Sequence, residues 1–150
     1  MLDNIRSIYN VGAMLRMADG AGLSHLYLCG ITATLDHPRM AKTALGAEAA
    51  VPWSAHSNSL DVADELKGRG YALWGLESGP HAEPLFGAGP APHGKPLALI
   101  VGNELAGIDP ALLARCDRVL YIPMAGIKGS LNAAVAFGIA AYYIRDVLTN

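Results

Sequence analysis

The sequence predicts a single parallel α/β domain, a sheet with helices on both faces, and three observations carry that expectation. Apolar runs of strand length alternate with helical segments along the chain. The runs are continuously apolar rather than alternating with polar residues, as strands buried on both faces are. The 150 residues, 52% hydrophobic and 16% charged, are enough for one core, and residues 1–150 show no repeat, low-complexity tract or linker.

If Leu2 belongs to a strand, most of that strand lies before the first residue; either the chain starts earlier or this edge of the sheet is frayed. Ala13–Gly20 reads as a helix entered through Asn10-Val11-Gly12 and left through Gly20 and Gly22. His25–Gly30 is a short apolar strand, residues 36–50 hold at most a short helix, and Val51–Ser54 suggests a small strand. Asp61–Lys67 is helical and stopped by Gly68 and Gly70, and Tyr71–Leu76 is a second buried strand. Ser78–Pro96 is a Pro/Gly-rich loop of a length that often serves function. Leu97–Val101 is the clearest strand. Asp109 and Pro110 form a helix N-cap with proline in the first turn, and that helix is expected to reach Cys116. Val119–Ile122 is a strand halted by Pro123, and Ser130 is expected to open a last helix that runs to Leu148.

The totals exclude several classes. A formal net charge of -2 and a pI of about 6.2 give no electrostatic support for a nucleic-acid partner. The two cysteines, Cys29 and Cys116, sit in apolar runs and suit a reducing compartment. The N-terminus lacks a signal-peptide core, and the longest apolar stretch, Ala133–Ile144, is too short to span a bilayer, so a soluble cytoplasmic protein with no membrane partner is expected. His25, His37, His56, His81 and His93 form no ligand-like spacing, and no metal site is expected. Gly89 to Lys95 has the spacing of a phosphate-binding loop, but Pro96 and a strand follow where a Ser/Thr and a helix are required.

Three segments carry chemistry. In Asn10-Val-Gly-Ala-Met-Leu-Arg16-Met-Ala-Asp19, a guanidinium stands in an apolar turn. It fits either a surface ion pair with Asp19 or a group aimed at a phosphate or reacting hydroxyl. In Leu99 to Ile108, a strand runs straight into Gly102-Asn103-Glu104, at the carboxyl edge where parallel sheets bind ligands. In Ile122 to Ala136, a Gly-rich connection leads to Ser130, Leu131 and Asn132. Asn132 is a poor helix former in an apolar helix, and a buried asparagine needs partners.

Together these segments resemble the three signature motifs of the SpoU (TrmH-like) RNA ribose methyltransferases of the SPOUT superfamily. The first motif is matched by Asn10, Gly12, Ala13, Arg16, Ala18 and Asp19, the second by Gly102, Asn103, Glu104 and Gly107, the third by Ile122, Pro123, Met124, Ser130, Leu131 and Asn132. The resemblance implies a SPOUT-type α/β fold with a C-terminal trefoil knot, a homodimer with sites at the subunit interface, and S-adenosylmethionine-dependent methylation of a ribose 2′-hydroxyl in tRNA or rRNA. It assigns catalysis to Arg16, supported by Asn10, with Glu104, Ser130 and Asn132 setting the local geometry. It assigns cofactor binding to Leu76, Glu77, Ser78, Gly102, Asn103, Ile122, Met124, Ser130 and Leu131. It places Arg6, Arg16, Arg39, Lys42 and Lys128 toward RNA, a cluster that answers the acidic balance.

Two other readings fit the same residues. One is a base methyltransferase on the same fold, disfavoured by Arg16 together with Ser130 and Asn132. The other is an inactive dimeric RNA- or cofactor-binding module, disfavoured by the presence of Arg16, Glu104, Ser130 and Asn132.

Overall fold

The computed structural model describes residues 1–91 and 94–149. Its seven strands are β1 (Leu2–Asp3), β2 (Leu26–Cys29), β3 (Trp53–His56), β4 (Ala72–Leu76), β5 (Glu83–Pro84), β6 (Leu97–Val101) and β7 (Arg118–Tyr121). They form one sheet in the order β3-β2-β1-β6-β4-β7-β5, and every pairing is parallel. The helices are α1 (Ile8–Gly20), α2 (Ala41–Ala44), α3 (Ser59–Gly68), α4 (Pro110–Leu113) and α5 (Ala133–Thr149), with a 3₁₀ turn at Ala47–Ala49.

The continuous apolar runs are explained by burial on both faces. Successive side chains of a strand point to opposite sides. Leu73, Ala98 and Ile100 meet Val62 and Leu66 of α3 and Leu112 of α4. Trp74, Leu99 and Val101 meet Met14 and Leu15 of α1 and Phe137 and Ala140 of α5. The expected two-sided parallel sheet is the observed one.

Several boundaries differ from expectation, each for a local reason. The first strand is not a frayed edge: β1 lies in the middle of the sheet, Leu2 pairing with Leu28 on one side and Val101 on the other. α1 starts at Ile8 rather than Ala13, because Ser7 is its N-cap and accepts the Asn10 N–H at 3.3 Å. Gly12 is therefore inside the helix, where a Cβ would collide with Thr43 of α2. β3 lies two residues later than expected, in register with β2 from Leu26↔Trp53 to Cys29↔His56. α3 begins at Ser59 because Asn58 caps it, and α4 is a single turn that ends at Leu113 instead of Cys116. The loop from Ser78 contributes a two-residue strand, β5, beside β7. Of the phosphate-loop spacing, Pro92 and His93 lie outside the described residues.

Ser130 does not open the last helix. Asn132 is its N-cap: the side-chain oxygen accepts the N–H of Ala134 at 2.9 Å and of Val135 at 3.3 Å, and its carbonyl accepts from Ala136. α5 carries apolar residues on more than one face, and one of those faces is buried. Ala134, Phe137, Ala140, Ala141 and Ile144 form one buried face, while Val135 and Tyr142 are exposed. No described helix is long and apolar enough to cross a membrane.

Candidate functional site

The carboxyl ends of β4, β6 and β7 open onto one cleft of about 280 Å³. Its walls are the turn after β4, the turn after β6 and the connection between β7 and α5. All nine residues expected to hold a cofactor, from Leu76 to Leu131, line it. The sheet produces this convergence: β4 and β6 are neighbours in register through Leu76↔Val101, and β7 pairs with β4 on the other side.

The turn after β6 is a tight hairpin. Asn103 and Gly107 exchange main-chain hydrogen bonds at 3.1 and 2.9 Å. The chain folds so closely over Gly102 that a Cβ there would overlap the backbone of Gly107 and Ile108. Gly107 itself has φ +74°, a conformation that favours glycine. Gly102→Ala therefore has no flexible neighbour to displace. It is expected to lower stability by about 1–3 kcal/mol, read as a lower urea midpoint at unchanged slope, and to deform the cleft.

The side chain of Asn103 serves the hairpin rather than the cleft. Its amide donates to the Asn4 carbonyl at 2.7 Å, and its oxygen accepts from Leu105 and Ala106 at 2.9 Å each. Asn4 holds φ +56°, unusual outside glycine, and its side-chain oxygen also accepts the Ile31 N–H. Sequence reasoning missed Asn4. The available signal was an asparagine directly after a strand, where the left-handed conformation is tolerated.

Glu104 is the hub that joins the three motifs. One carboxylate oxygen accepts the Ser7 N–H and the Asn10 side-chain amide, both at 3.0 Å; the other accepts the Arg6 N–H at 3.0 Å. The Asn10 oxygen in turn accepts from the Asn132 amide at 3.1 Å. Burial pushes the Glu104 pKa up, but these hydrogen bonds to the ionised form outweigh it, and the net shift is downward. Asn132, expected as a buried group in search of partners, is exposed and has partners on both sides, capping α5 and bonding Asn10.

Arg16 stands apart from this network. It is exposed on α1, does not line the cleft, and has no ion pair among the described residues, so the alternative pairing with Asp19 is not what the structure shows. Ser130 lines the cleft as an exposed residue of the last connection.

Nine of the eleven cations fall into two groups. Lys67, Arg69, Arg115 and Arg118, which lie just before β4 or around the start of β7, are each paired with a carboxylate. Arg6, Arg16, Arg39, Lys42 and Lys128 are exposed and form no ion pair among the described residues. Arg6 follows the carboxyl end of β1 and Lys128 that of β7, while Arg39 and Lys42 flank the start of α2, which packs on α1. Of these five, Arg6 bonds the cleft residue Glu104 through its main chain and Lys128 directly precedes the cleft residue Gly129.

The family model for the SpoU rRNA Methylase family matches residues 1–142. The chain is 37% identical over 148 residues to the 23S rRNA (guanosine(2553)-2′-O)-methyltransferase RlmP of Bacillus subtilis (strain 168), covering 97% of this chain and 56% of that protein. It superposes on the SpoU methyltransferase AviRb from Streptomyces viridochromogenes, solved in complex with the cofactor AdoMet, with a TM-score of 0.85 at 28% identity, covering 97% of this chain and 58% of that one. It superposes on the A. aeolicus TrmH/SpoU tRNA modifying enzyme with a TM-score of 0.84 at 28% identity, covering 97% and 72%. The chain spans little more than half the length of RlmP.

Proposed function

The chain belongs to the SpoU rRNA methylase family, and from that membership we propose that it transfers a methyl group from S-adenosylmethionine to the 2′-hydroxyl of a ribose in RNA. The observation that carries the reading is the Glu104–Asn10–Asn132 network, which draws all three motifs together beside the cleft. The comparison with RlmP favours ribosomal RNA as the substrate class, ahead of tRNA.

The cleft fits the donor. Its walls combine apolar side chains, with Ile122, Met124 and Leu131 available to the adenosine, and polar ones such as Ser78, Glu104 and Ser130, and the turns after β4 and β6 add backbone N–H and C=O groups. The bound donor supplies a methyl group on a sulfonium, already a good leaving group. The chain's own contribution is to place the ribose oxygen in line and to assist loss of its proton. Arg16 is almost always protonated and so acts as a donor fork, orienting the RNA phosphate or hydroxyl rather than serving as a simple base. Asn10 is held in place from both sides by Glu104 and Asn132.

Two further parts belong to this reading. One is a homodimer, supported by the exposed Val135 and Tyr142, two turns apart on α5, and by the absence of Arg16 from its own chain's cleft. In such a dimer the guanidinium of one protomer serves the cleft of its partner. The other is the knotted path of the C-terminal segment. The unmatched thiols Cys29 and Cys116 suit work in the cytoplasm.

The test is label transfer. Purified protein, radiolabelled S-adenosylmethionine and total RNA are expected to give label in 2′-O-methylated nucleosides. RNA binding is expected to weaken with salt, at a logarithmic slope of roughly 0.7–0.9 per engaged cation, near four if the five free cations all take part. Label on a base would move the reading to a base methyltransferase. Donor binding without transfer would move it to an inactive module.

A further inference from the structure

We infer that Glu77 is a positioning residue that sets the width of the cleft by fastening the hairpin after β6 to the end of β4; the inference rests on the donor-binding reading of that cleft. Glu77 was expected only as one of the residues around a cofactor. Its carboxylate has a more specific job. Oε1 accepts the N–H of Ser78 at 3.0 Å, and Oε2 accepts the N–H of Ile108 at 3.0 Å. The first bond lies within the turn after β4. The second crosses to the far end of the hairpin, thirty-one residues away. The Glu77 main-chain N–H meanwhile donates to Leu120 of β7 at 2.9 Å. One residue thus ties together all three strand ends that build the cleft.

The hairpin has anchors on two sides. Asn103 holds it to Asn4, and Glu104 holds it to the start of α1; both anchors face β1. Glu77 is the anchor on the β4 side. The fit is close, because a Cβ on Gly107 would strike the Glu77 carboxylate. Without Glu77, the hairpin keeps its attachment to β1 and loses its bond to the end of β4, so these two walls are free to separate.

A carboxylate suits this role because it accepts on both oxygens. A carboxamide has one accepting oxygen and an NH₂ that opposes the other N–H. Glu77→Gln is therefore expected to keep one bond and lose one, and Glu77→Ala to lose both. An aspartate retains two acceptors on a shorter stem and is expected to recover part of the loss.

The test has two arms. Amide hydrogen exchange on the protein without ligand reads the clamp itself. The Ile108 N–H is expected to exchange at least about tenfold faster in Glu77→Ala, while the Arg6 and Ser7 N–H groups, held by Glu104, keep their protection. Equal protection of Ile108 in both proteins overturns the inference, whatever the cleft binds. The second arm compares KM for S-adenosylmethionine with kcat. KM is expected to rise about tenfold or more in Glu77→Ala and Glu77→Gln while kcat changes less than threefold, with partial rescue in Glu77→Asp. A fall in kcat at unchanged KM, or no change in either, overturns the clamp's link to the cleft. Failure of the unsubstituted protein to bind the donor at all sinks the functional reading instead, and the exchange arm still decides the clamp.

Discussion

Arg16→Ala is expected to reduce methyl transfer by at least about 100-fold, the scale on which one positioned charged or proton-transferring group acts, while leaving donor binding and stability nearly unchanged. The structure separates these effects. Arg16 is exposed, makes no ion pair among the described residues and does not line the cleft, so removing it breaks no packing and alters no wall. A surface change of this kind usually moves stability by no more than about 0.5 kcal/mol. Arg16→Lys keeps the charge but loses the planar fork and is expected to remain impaired. Single-turnover transfer, paired with calorimetry on S-adenosylmethionine, checks the split. Loss of donor affinity in Arg16→Ala contradicts the assignment of this residue to the RNA side of the reaction.

The second large effect is structural and local at once. Glu104→Ala leaves the Arg6 N–H, the Ser7 N–H and the Asn10 amide without their acceptor. Each unsatisfied donor costs roughly 1 kcal/mol or more where water does not replace the partner. Because this site is partly open, a total loss of about 2–3 kcal/mol is expected, with the start of α1 loosened and transfer abolished. The same carboxylate makes stability depend on pH. Its folded pKa lies below the ordinary 4.5, so the folded state binds fewer protons than the unfolded one just below that value. The stabilisation is complete above about 4.5 and is lost as the pH falls through the lowered folded value. Urea unfolding between pH 7 and pH 3 is expected to show a smaller acid-side loss in Glu104→Gln than in the unsubstituted protein. Parallel curves would deny Glu104 that role.

How much of this was legible in the sequence depends on how local each signal is. Leu97–Val101 was readable to the residue because five apolar positions between Pro96 and Gly102 admit one answer. Asp109-Pro110 was readable because cap and proline chemistry act within one turn. The start of α1 was not, because the weak motif Asn10-Val-Gly looks like an entry while the true cap, Ser7, precedes an ordinary apolar residue. Ser130 was preferred to Asn132 as a cap for the same reason: both are good caps, and only the path of the chain chooses between them. The convergence of Gly102, Ile122, Met124, Ser130 and Leu131 on one cleft was legible through the second and third motifs. The central place of β1, the use of Asn103 by the hairpin and the reach of Glu104 to Arg6 and Ser7 were not, since each is a meeting of residues far apart in the chain.

The bonds at the hub also dictate when the site comes into being. Glu104 meets Asn10 across 94 residues, and Asn132 meets Asn10 across 122. The side chain of Asn10 is held only when the segments after β6 and at the start of α5 reach it. Closing such long loops is slow and is rewarded only at the end. The centre therefore forms only once segments from both ends of residues 10–132 have met, and with α5 supplying Phe137 and Ala140 to the core the same closure completes one face of the sheet.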